Sequence, residues 1–305
     1  MAPPDRRGRI TRLQAWILAS RPRTLTAAAA PVFVGSGLAQ WHGSFSPLPA
    51  LAALGGALLI QIGTNLANDY YDHLRGGDTE ERVGPIRVTQ SGLIPPAAVK
   101  RATFLVLGLA LLPGLYLVWI GGMPILLVGV ASLVCAVAYT GGPFPLAYHG
   151  LGDLFVFLFF GLVAVGGTFW VQALSFGPEV LLAGAGMGAL STAILVVNNL
   201  RDLETDERAG KRTLAVRLGH AGTKFELLFL AMMGFVTPVV GILFYGWTPL
   251  SLLCYGAILP AISSARILAP YEPADDPGVL IPPLGMTAQA AGLYGLLLGL
   301  GLALG

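Results

Sequence analysis

Long apolar segments follow one another along most of the chain and restrict its fold more than any other feature. About nine segments reach the roughly 20 residues that a helix needs to cross the hydrocarbon core of a bilayer. They span residues 17–40, 47–69, 98–119, 122–140, 153–174, 179–199, 224–246, 249–268 and 285–304. Hydrophobic residues make up 55% of the 305 positions and charged residues only 11%, which excludes a soluble globular domain. We predict an all-α, polytopic transmembrane bundle of about nine helices, formed by a single domain over residues 1–305.

The basic residues indicate how this bundle is oriented. All 18 Lys and Arg residues fall at the amino terminus or in alternate loops, on one side of the predicted membrane. The opposite loops carry a single charged residue, Glu179. Because basic loops stay in the cytoplasm, we predict a cytoplasmic amino terminus, an outer carboxyl terminus, and a multi-pass protein of the cell inner membrane whose active site faces the cytoplasm. The net charge of +2 is too small to indicate nucleic acid, so membrane lipid is the predicted surrounding.

Two polar clusters end apolar segments on that predicted cytoplasmic side. The first is spaced to share one helical face and comprises Asn65, Asn68, Asp69 and Asp72. The second follows the same pattern and comprises Asn198, Asn199, Asp202 and Asp206. Basic residues follow both, including Arg75, Arg82, Arg201, Lys211 and Arg212. Carboxylates bind hard cations and basic groups bind phosphate oxygens, so the two clusters together predict a site for a magnesium diphosphate.

The two clusters allow two other interpretations, solvated helix ends and the ion site of a transporter. Either cluster alone fits a solvated helix end, but two matching clusters are hard to explain by solvation. A cation-coupled transporter also uses carboxylates within the membrane, although it would place them near the bilayer midplane on broken helices. The sequence has no P-loop, H-E-x-x-H or G-x-S-x-G pattern, which leaves nucleotide-driven pumps, zincins and serine hydrolases without support.

The residues in these clusters resemble the UbiA superfamily of intramembrane aromatic prenyltransferases. NLANDYYDHLRGGD is similar to the first aspartate-rich motif of that family and NNLRDLETD to the second. Further similar stretches are ASRPRTLTAAAAPVFVG, GPIRVTQSGLI, YTGGPFPLAYHGLGDLFVFLFFG and AGKRTLAVRLG. These stretches look most like the branch whose acceptor is 1,4-dihydroxy-2-naphthoate, in menaquinone biosynthesis. The first motif departs from the wider NDxxDxxxD pattern, because the aspartate after Asp72 is Asp78 and two glycines precede it.

The resemblance implies a reaction and a set of roles. A polyprenyl diphosphate would be ionised with Mg²⁺ as cofactor, and its prenyl group would join 1,4-dihydroxy-2-naphthoate with decarboxylation; 4-hydroxybenzoate and homogentisate are the alternative acceptors. Asp72, Asp202 and Asp206 would be the principal metal-facing carboxylates. Asn65, Asn68, Asp69 and Asn198 would be direct or water-mediated partners of the metal. Lys211, Arg201 and Arg75 would hold phosphate oxygens, and the Tyr139 ring would face the prenyl cation. The candidates for acceptor binding are Arg21, Arg23, Arg87, His149 and Asp153.

Overall fold

The computed structural model describes residues 10–76, 84 and 86–305, and the regular secondary structure of this part of the chain is all helical. Its α-helices are α1 (Arg12–Ser20), α2 (Pro22–Trp41), α3 (Pro47–Leu74), α4 (Pro96–Gly121), α5 (Met123–Ala138), α6 (Gly152–Phe157), α7 (Ala164–Ala173), α8 (Pro178–Arg201), α9 (Leu203–Arg208), α10 (Leu214–Tyr245), α11 (Ile258–Leu268) and α12 (Ile281–Leu304). A π-helical turn, Leu158–Val163, joins α6 to α7. Shorter 3₁₀ segments are Leu146–His149, Pro249–Ala257 and Pro277–Leu280. The predicted all-α class is confirmed.

Several of these helices reach membrane-crossing length, alone or joined to a neighbouring π- or 3₁₀-helical segment. Within the described residues, 7 continuous helical stretches are long and apolar enough to cross a bilayer. The apolar α5 is shorter, at 16 residues, and α2 has 20 residues. The outer faces of α4 and α10 expose large apolar side chains such as Leu112, Trp119 and Phe244, as expected for lipid contact. The chain is therefore an integral multi-pass membrane protein, while the count of about nine crossings stays a prediction.

The first apolar segment forms two helices rather than one. We expected a helix over 17–40, but α1 ends at Ser20 and α2 begins at Pro22. Arg21, between them, has a left-handed backbone with φ 50°. Pro22 has no N–H and disfavours a helical conformation at the residue before it, so a continuous helix is blocked at this point. This break brings the start of α2 close to α3.

Small residues allow the helices to approach closely. A Cβ atom at Gly295 of α12 would lie 2.6 Å from the Cβ of Ala30 on α2, so only glycine fits there. The π-helical turn is close to α8 for the same reason, because a Cβ atom at Gly161 would lie 2.5 Å from the carbonyl oxygen of Gly184. In a membrane, van der Waals contact between close backbones drives helix association.

A buried apolar cluster at the centre of the bundle includes Phe169, Met187, Trp247 and Tyr294. These side chains come from α7, α8, the loop after α10, and α12, and α8 lies against both α10 and the π-helical turn. The cluster fixes α8 relative to α2 and α12. As a result, the end of α8 that carries the second polar cluster has a defined position in the bundle.

Candidate active site

A cavity of about 870 Å³ lies between α2, α3, α4, α5, α7 and α8. Its polar end is lined by residues that the sequence analysis selected: Arg21, Asn65, Asn68, Asp72, Arg87, Tyr139, Asp153, Asn198, Arg201 and Lys211. Apolar side chains line the remainder, among them Leu115, Val118, Leu133, Phe155 and Phe159. The cavity therefore suits a molecule with a polar head and a long apolar tail.

Asp72, near the end of α3, has a basic partner and a phenolic partner. Nη2 of Arg87 donates to its Oδ2 at 2.9 Å, and the Tyr148 hydroxyl donates to its Oδ1 at 3.2 Å. Both carboxylate and guanidinium are 9% exposed, so this ion pair is shielded from bulk water. One turn earlier, Oδ1 of Asn68 accepts a hydrogen bond from the Thr140 hydroxyl at 2.9 Å. The end of α3 is thus connected to the segment after α5.

Asp69 accepts two backbone hydrogen bonds. Its Oδ2 accepts from Val88 N–H at 3.0 Å and its Oδ1 from Thr89 N–H at 2.9 Å. The carboxylate is almost fully buried, at 2% exposure. Asp69 thereby fixes the backbone immediately after Arg87 and places that guanidinium beside Asp72. Sequence spacing alone does not reveal this role, because the partners lie 19 and 20 residues away.

Asn65 connects α3 to the break between α1 and α2. Its Nδ2 donates to the Ser20 carbonyl and to the Thr24 hydroxyl, each at 2.9 Å. Gln61, one turn earlier, donates to Thr24 Oγ1 at 3.2 Å and to Asn65 Oδ1 at 3.3 Å. These bonds hold Arg21 at the wall of the cavity. Gln61 and Thr24 were not selected from the sequence, although Gln61 lies on the same helical face as Asn65.

In the second cluster, Arg201 pairs with the residue that follows it. Its Nε donates to Asp202 Oδ1 at 2.7 Å and its Nη2 to Asp202 Oδ2 at 2.6 Å. The same Nη2 donates to Asn198 Oδ1 at 2.9 Å. Arg201 is 2% exposed, and its Nη1 has no hydrogen-bond partner among the described residues. A buried guanidinium with a spare donor suits an anion entering the cavity.

Asp206 pairs with Lys211 at the start of the following loop. The Lys211 ammonium donates to Asp206 Oδ1 at 3.2 Å, while Oδ2 is buried with no partner in the described part of the chain. Burial raises the pKa of the Asp206 carboxyl, although Lys211 acts in the opposite sense. Burial lowers the pKa of Lys211, but Asp206, Asp72 and Asp202 more than compensate, so that pKa lies above its ordinary value. Lys211 is therefore a cation at neutral pH.

Tyr148 joins the two clusters, and the sequence analysis did not select it. Its ring lies between two cations, with Arg75 Cζ 5.5 Å and Lys211 Nζ 5.6 Å from the centroid. Arg75 also donates from Nε to the Thr140 carbonyl at 3.1 Å and from Nη2 to the Gly142 carbonyl. Tyr148 lies in YTGGPFPLAYHG, a stretch that already carried the family resemblance, but its partners are distant in sequence.

The remaining candidates lie in different environments. Arg21 and Asp153 line the cavity, and so does Arg23 beside the α1–α2 break. The Tyr139 hydroxyl would lie 3.0 Å from a Cβ atom at Gly152, which places the phenol against the start of α6. His149 instead stacks on Phe144, with ring centroids 3.7 Å apart, and its Nδ1 lies 2.8 Å from the Pro145 carbonyl oxygen. These contacts give His149 a loop-stabilising environment. Asp78, Arg82 and the basic residues before position 10 lie outside the described residues.

The oxygen donors of the two polar clusters decide whether Mg²⁺ can bind here. Within the described ranges, no three acidic, histidine or cysteine side chains form a group that could hold a metal ion. Instead, Asp72, Asp202 and Asp206 each face a basic side chain. The donors nevertheless fit Mg²⁺, which takes carboxylate and amide oxygens, and the buried Asp206 Oδ2 has no partner of its own among the described residues.

Comparisons with known proteins agree with this geometry. The sequence profile of the UbiA prenyltransferase family matches residues 28–286. The chain is 39% identical, over 97% of both proteins, to the 1,4-dihydroxy-2-naphthoate octaprenyltransferase of Escherichia coli. It is 40% identical, over 95% of this chain and 97% of the relative, to the protein of that name from Mycobacterium tuberculosis. The solved structure of a UbiA homologue from Archaeoglobus fulgidus, bound to GPP and Mg²⁺, matches 92% of this chain and 98% of its own with a TM-score of 0.66 and 15% identity.

Proposed function

The chain belongs to the UbiA prenyltransferase family, and on that premise we propose that it transfers a polyprenyl group from polyprenyl diphosphate to 1,4-dihydroxy-2-naphthoate. The transfer depends on Mg²⁺ and is coupled to loss of the acceptor carboxylate, which gives a demethylmenaquinol in menaquinone biosynthesis. The observation that carries this proposal is a single cavity whose polar end is lined by the ends of α3 and α8, through Asn68, Asp72, Asn198 and Arg201, and whose remaining walls are apolar.

The polar end is the proposed diphosphate site. Asp72, Asp202 and Asp206, with Asn68 and Asn198, would hold Mg²⁺. When bound, Mg²⁺ neutralises the charge that develops on the departing diphosphate. The predicted phosphate-binding residues, Lys211, Arg201 and Arg75, supply the cationic donors at the same rim. Asn65 and Asp69, also predicted near the metal, position the α1–α2 break and the loop that carries Arg87 through the hydrogen bonds described above.

The apolar part of the cavity keeps water from the allylic carbon and takes the first isoprenoid units. Phe155, Phe159 and Leu133 line that part. Tyr139 lines the same cavity as Asp72, and its ring would face the allylic cation that forms when the bond to diphosphate breaks. An aromatic face stabilises a neighbouring cation, and a dry site protects it from hydrolysis.

The acceptor assignment follows the curated relatives, which bear the name 1,4-dihydroxy-2-naphthoate octaprenyltransferase and align along almost the whole chain. An anionic aromatic acceptor suits the arginines at the cavity wall, Arg21, Arg23 and Arg87. The basic loops support an orientation with this rim in the cytoplasm and a location in the cell inner membrane.

The test is prenyl transfer by the purified protein in liposomes. The assay supplies Mg²⁺, a set of prenyl diphosphates, and a panel of acceptors: 1,4-dihydroxy-2-naphthoate, 4-hydroxybenzoate and homogentisate. We expect a prenylated naphthoquinol and an equal amount of CO₂, both lost when EDTA removes the metal. Transfer to a different acceptor would replace the proposed substrate, and transfer that continues without a divalent cation would contradict the metal site.

A further inference from the structure

Asp153 differs from the carboxylates of the two polar clusters because no cationic partner for it is found in the described part of the chain. It lines the cavity and is 6% exposed, and its Oδ2 has no hydrogen-bond partner among the described residues. No basic side chain in the described ranges lies within salt-bridge distance of it. By contrast, Asp72, Asp202 and Asp206 are each paired. Burying an unpaired carboxylate is costly, so retaining one beside a cavity indicates a function.

Helix capping does not account for Asp153. The residue lies in the first turn of α6, where a negative charge is favoured by the helix dipole. However, no side-chain capping hydrogen bond forms at this helix start. Ser191 of α8 also lines the cavity, with a buried hydroxyl that has no partner in the described part of the chain. Asp153 Oδ2 and the Ser191 hydroxyl are therefore two polar groups of the cavity wall without partners among the described residues.

The position of Asp153 fits the acceptor rather than the diphosphate. The Tyr139 hydroxyl lies against Gly152, the residue before Asp153, because a Cβ atom at Gly152 would be 3.0 Å from it. Tyr139 and Asp153 thus line neighbouring parts of the wall of the cavity that Asp72 also lines. An acceptor ring that attacks the allylic carbon near Tyr139 would present its hydroxyl groups to Asp153.

We propose that Asp153 is the catalytic base for the acceptor: it takes the proton from the hydroxyl next to the attacking carbon and later returns it. This inference rests on the proposed function. The carbon that carries the carboxylate bonds to the allylic carbon, the carbon–oxygen bond to diphosphate breaks, and the hydroxyl proton passes to Asp153. The resulting β-keto acid loses CO₂ and leaves an enolate. Asp153 returns the proton to the enolate oxygen, which restores a hydroquinol with no net change at the base.

The experiment compares Asp153→Asn and Asp153→Ala with wild type in liposomes, using 1,4-dihydroxy-2-naphthoate and geranyl diphosphate. Loss of a positioned base lowers rates by about 10²-fold or more, so we expect that fall in kcat for both variants with donor binding unchanged. Asp153→Ala leaves space for a small carboxylate, and we expect added formate to raise its turnover by about tenfold or more. Asp153→Asn leaves no such space, so formate has no effect on it.

Glu226→Gln is the matched control, because Glu226 is a second partly buried carboxylate that interacts electrostatically with Asp153 but does not line the cavity. We expect it to keep near wild-type turnover. Turnover of Asp153→Asn within about threefold of wild type would overturn the inference, as would an Asp153→Ala variant that binds donor but gains nothing from formate. Wild-type turnover with this acceptor is measured first, so failure of the proposed function would be seen separately, as a wild-type protein that does not prenylate the naphthoate.

Discussion

Individual carboxylates of the two polar clusters have different partners, and these partners indicate what each substitution does. Asp206 keeps one oxygen bonded to Lys211 and has another that is buried and unpartnered in the described part of the chain. Asp202 is held in a two-point ion pair by Arg201. Asp69, by contrast, uses both oxygens on backbone N–H groups. We therefore expect substitutions at Asp202 and Asp206 to affect the chemistry and substitutions at Asp69 to affect the loop.

Asp206→Asn tests the metal-facing role directly. It removes a negative charge while keeping the size of the side chain, and we expect turnover to fall by about 100-fold or more because leaving-group stabilisation is lost. Glu204→Gln is the control on the same helix, since Glu204 instead contacts His220, at 2.7 Å. Steady-state prenyl transfer in liposomes measures both. Equal turnover of the two variants would refute a special role for Asp206.

Two substitutions separate the functions of Tyr148. Tyr148→Phe removes the hydrogen bond to Asp72 but keeps the ring between Arg75 and Lys211, so we expect a loss of only about tenfold. Tyr148→Leu removes the ring as well. We expect it to raise the KM for the donor more than Tyr148→Phe does, because Arg75 and Lys211, the cations proposed to bind phosphate, no longer contact an aromatic ring. Separate titrations of donor and acceptor provide the measurement. A rise confined to the acceptor KM would contradict this role.

The sequence predicted which residues reach the site better than it predicted what each one contacts. Helical spacing places Asn68 and Asp72 on one face, the basic residues after the clusters include Lys211, and the resemblance added Tyr139. All four line the cavity. The sequence did not predict Tyr148, Thr140 and Thr24 as site residues, because their partners lie 37 to 76 residues away in the chain. Contacts of that separation depend on how whole helices pack, which no local pattern encodes.

At the scale of helices, the close approach of the α12 and α2 backbones can be tested by substitution. Gly295→Ala would place a methyl group 2.6 Å from Ala30 on α2, so the helices must separate. We expect a loss of about 1–3 kcal/mol in the free energy of unfolding. Gly108→Ala on α4 is the control, because a Cβ there meets no described atom within 4 Å, and alanine favours a helix over glycine. Thermal unfolding in detergent should lower the Tm for Gly295→Ala and leave Gly108→Ala unchanged or higher.

Helix boundaries differed from the sequence prediction where local geometry intervened. The segment 17–40 was predicted as one helix, but Pro22 separates α1 from α2. The segment 249–268 begins as a 3₁₀ helix, Pro249–Ala257, and 153–174 contains the π-helical turn. A hydropathy window reports whether a stretch is apolar and does not distinguish these helical forms. The apolar segments were sufficient to predict the all-α class of the fold. They were not sufficient to predict where a helix breaks or becomes 3₁₀ or π.

For the whole molecule, the sequence predicts the orientation in the membrane. The positions of the helices alone do not determine it. By the positive-inside rule, the basic loops predict that the cavity rim lies in the cytoplasm and the carboxyl terminus outside. A reporter fused after Gly305 checks this, with alkaline phosphatase active only outside and green fluorescent protein fluorescent only inside. We expect phosphatase activity without fluorescence. The reverse pattern would mean an even number of crossings or an inverted bundle.

The central claim is that two motifs from opposite halves of the chain form one site for a magnesium diphosphate. Equilibrium binding of an unreactive farnesyl thiolodiphosphate to wild type, Asp72→Asn and Asp202→Asn, with and without Mg²⁺, tests it most directly. We predict binding that requires Mg²⁺ and that each substitution weakens by about tenfold or more. Binding without a divalent cation, or loss of affinity from only one of the two motifs, would contradict the account.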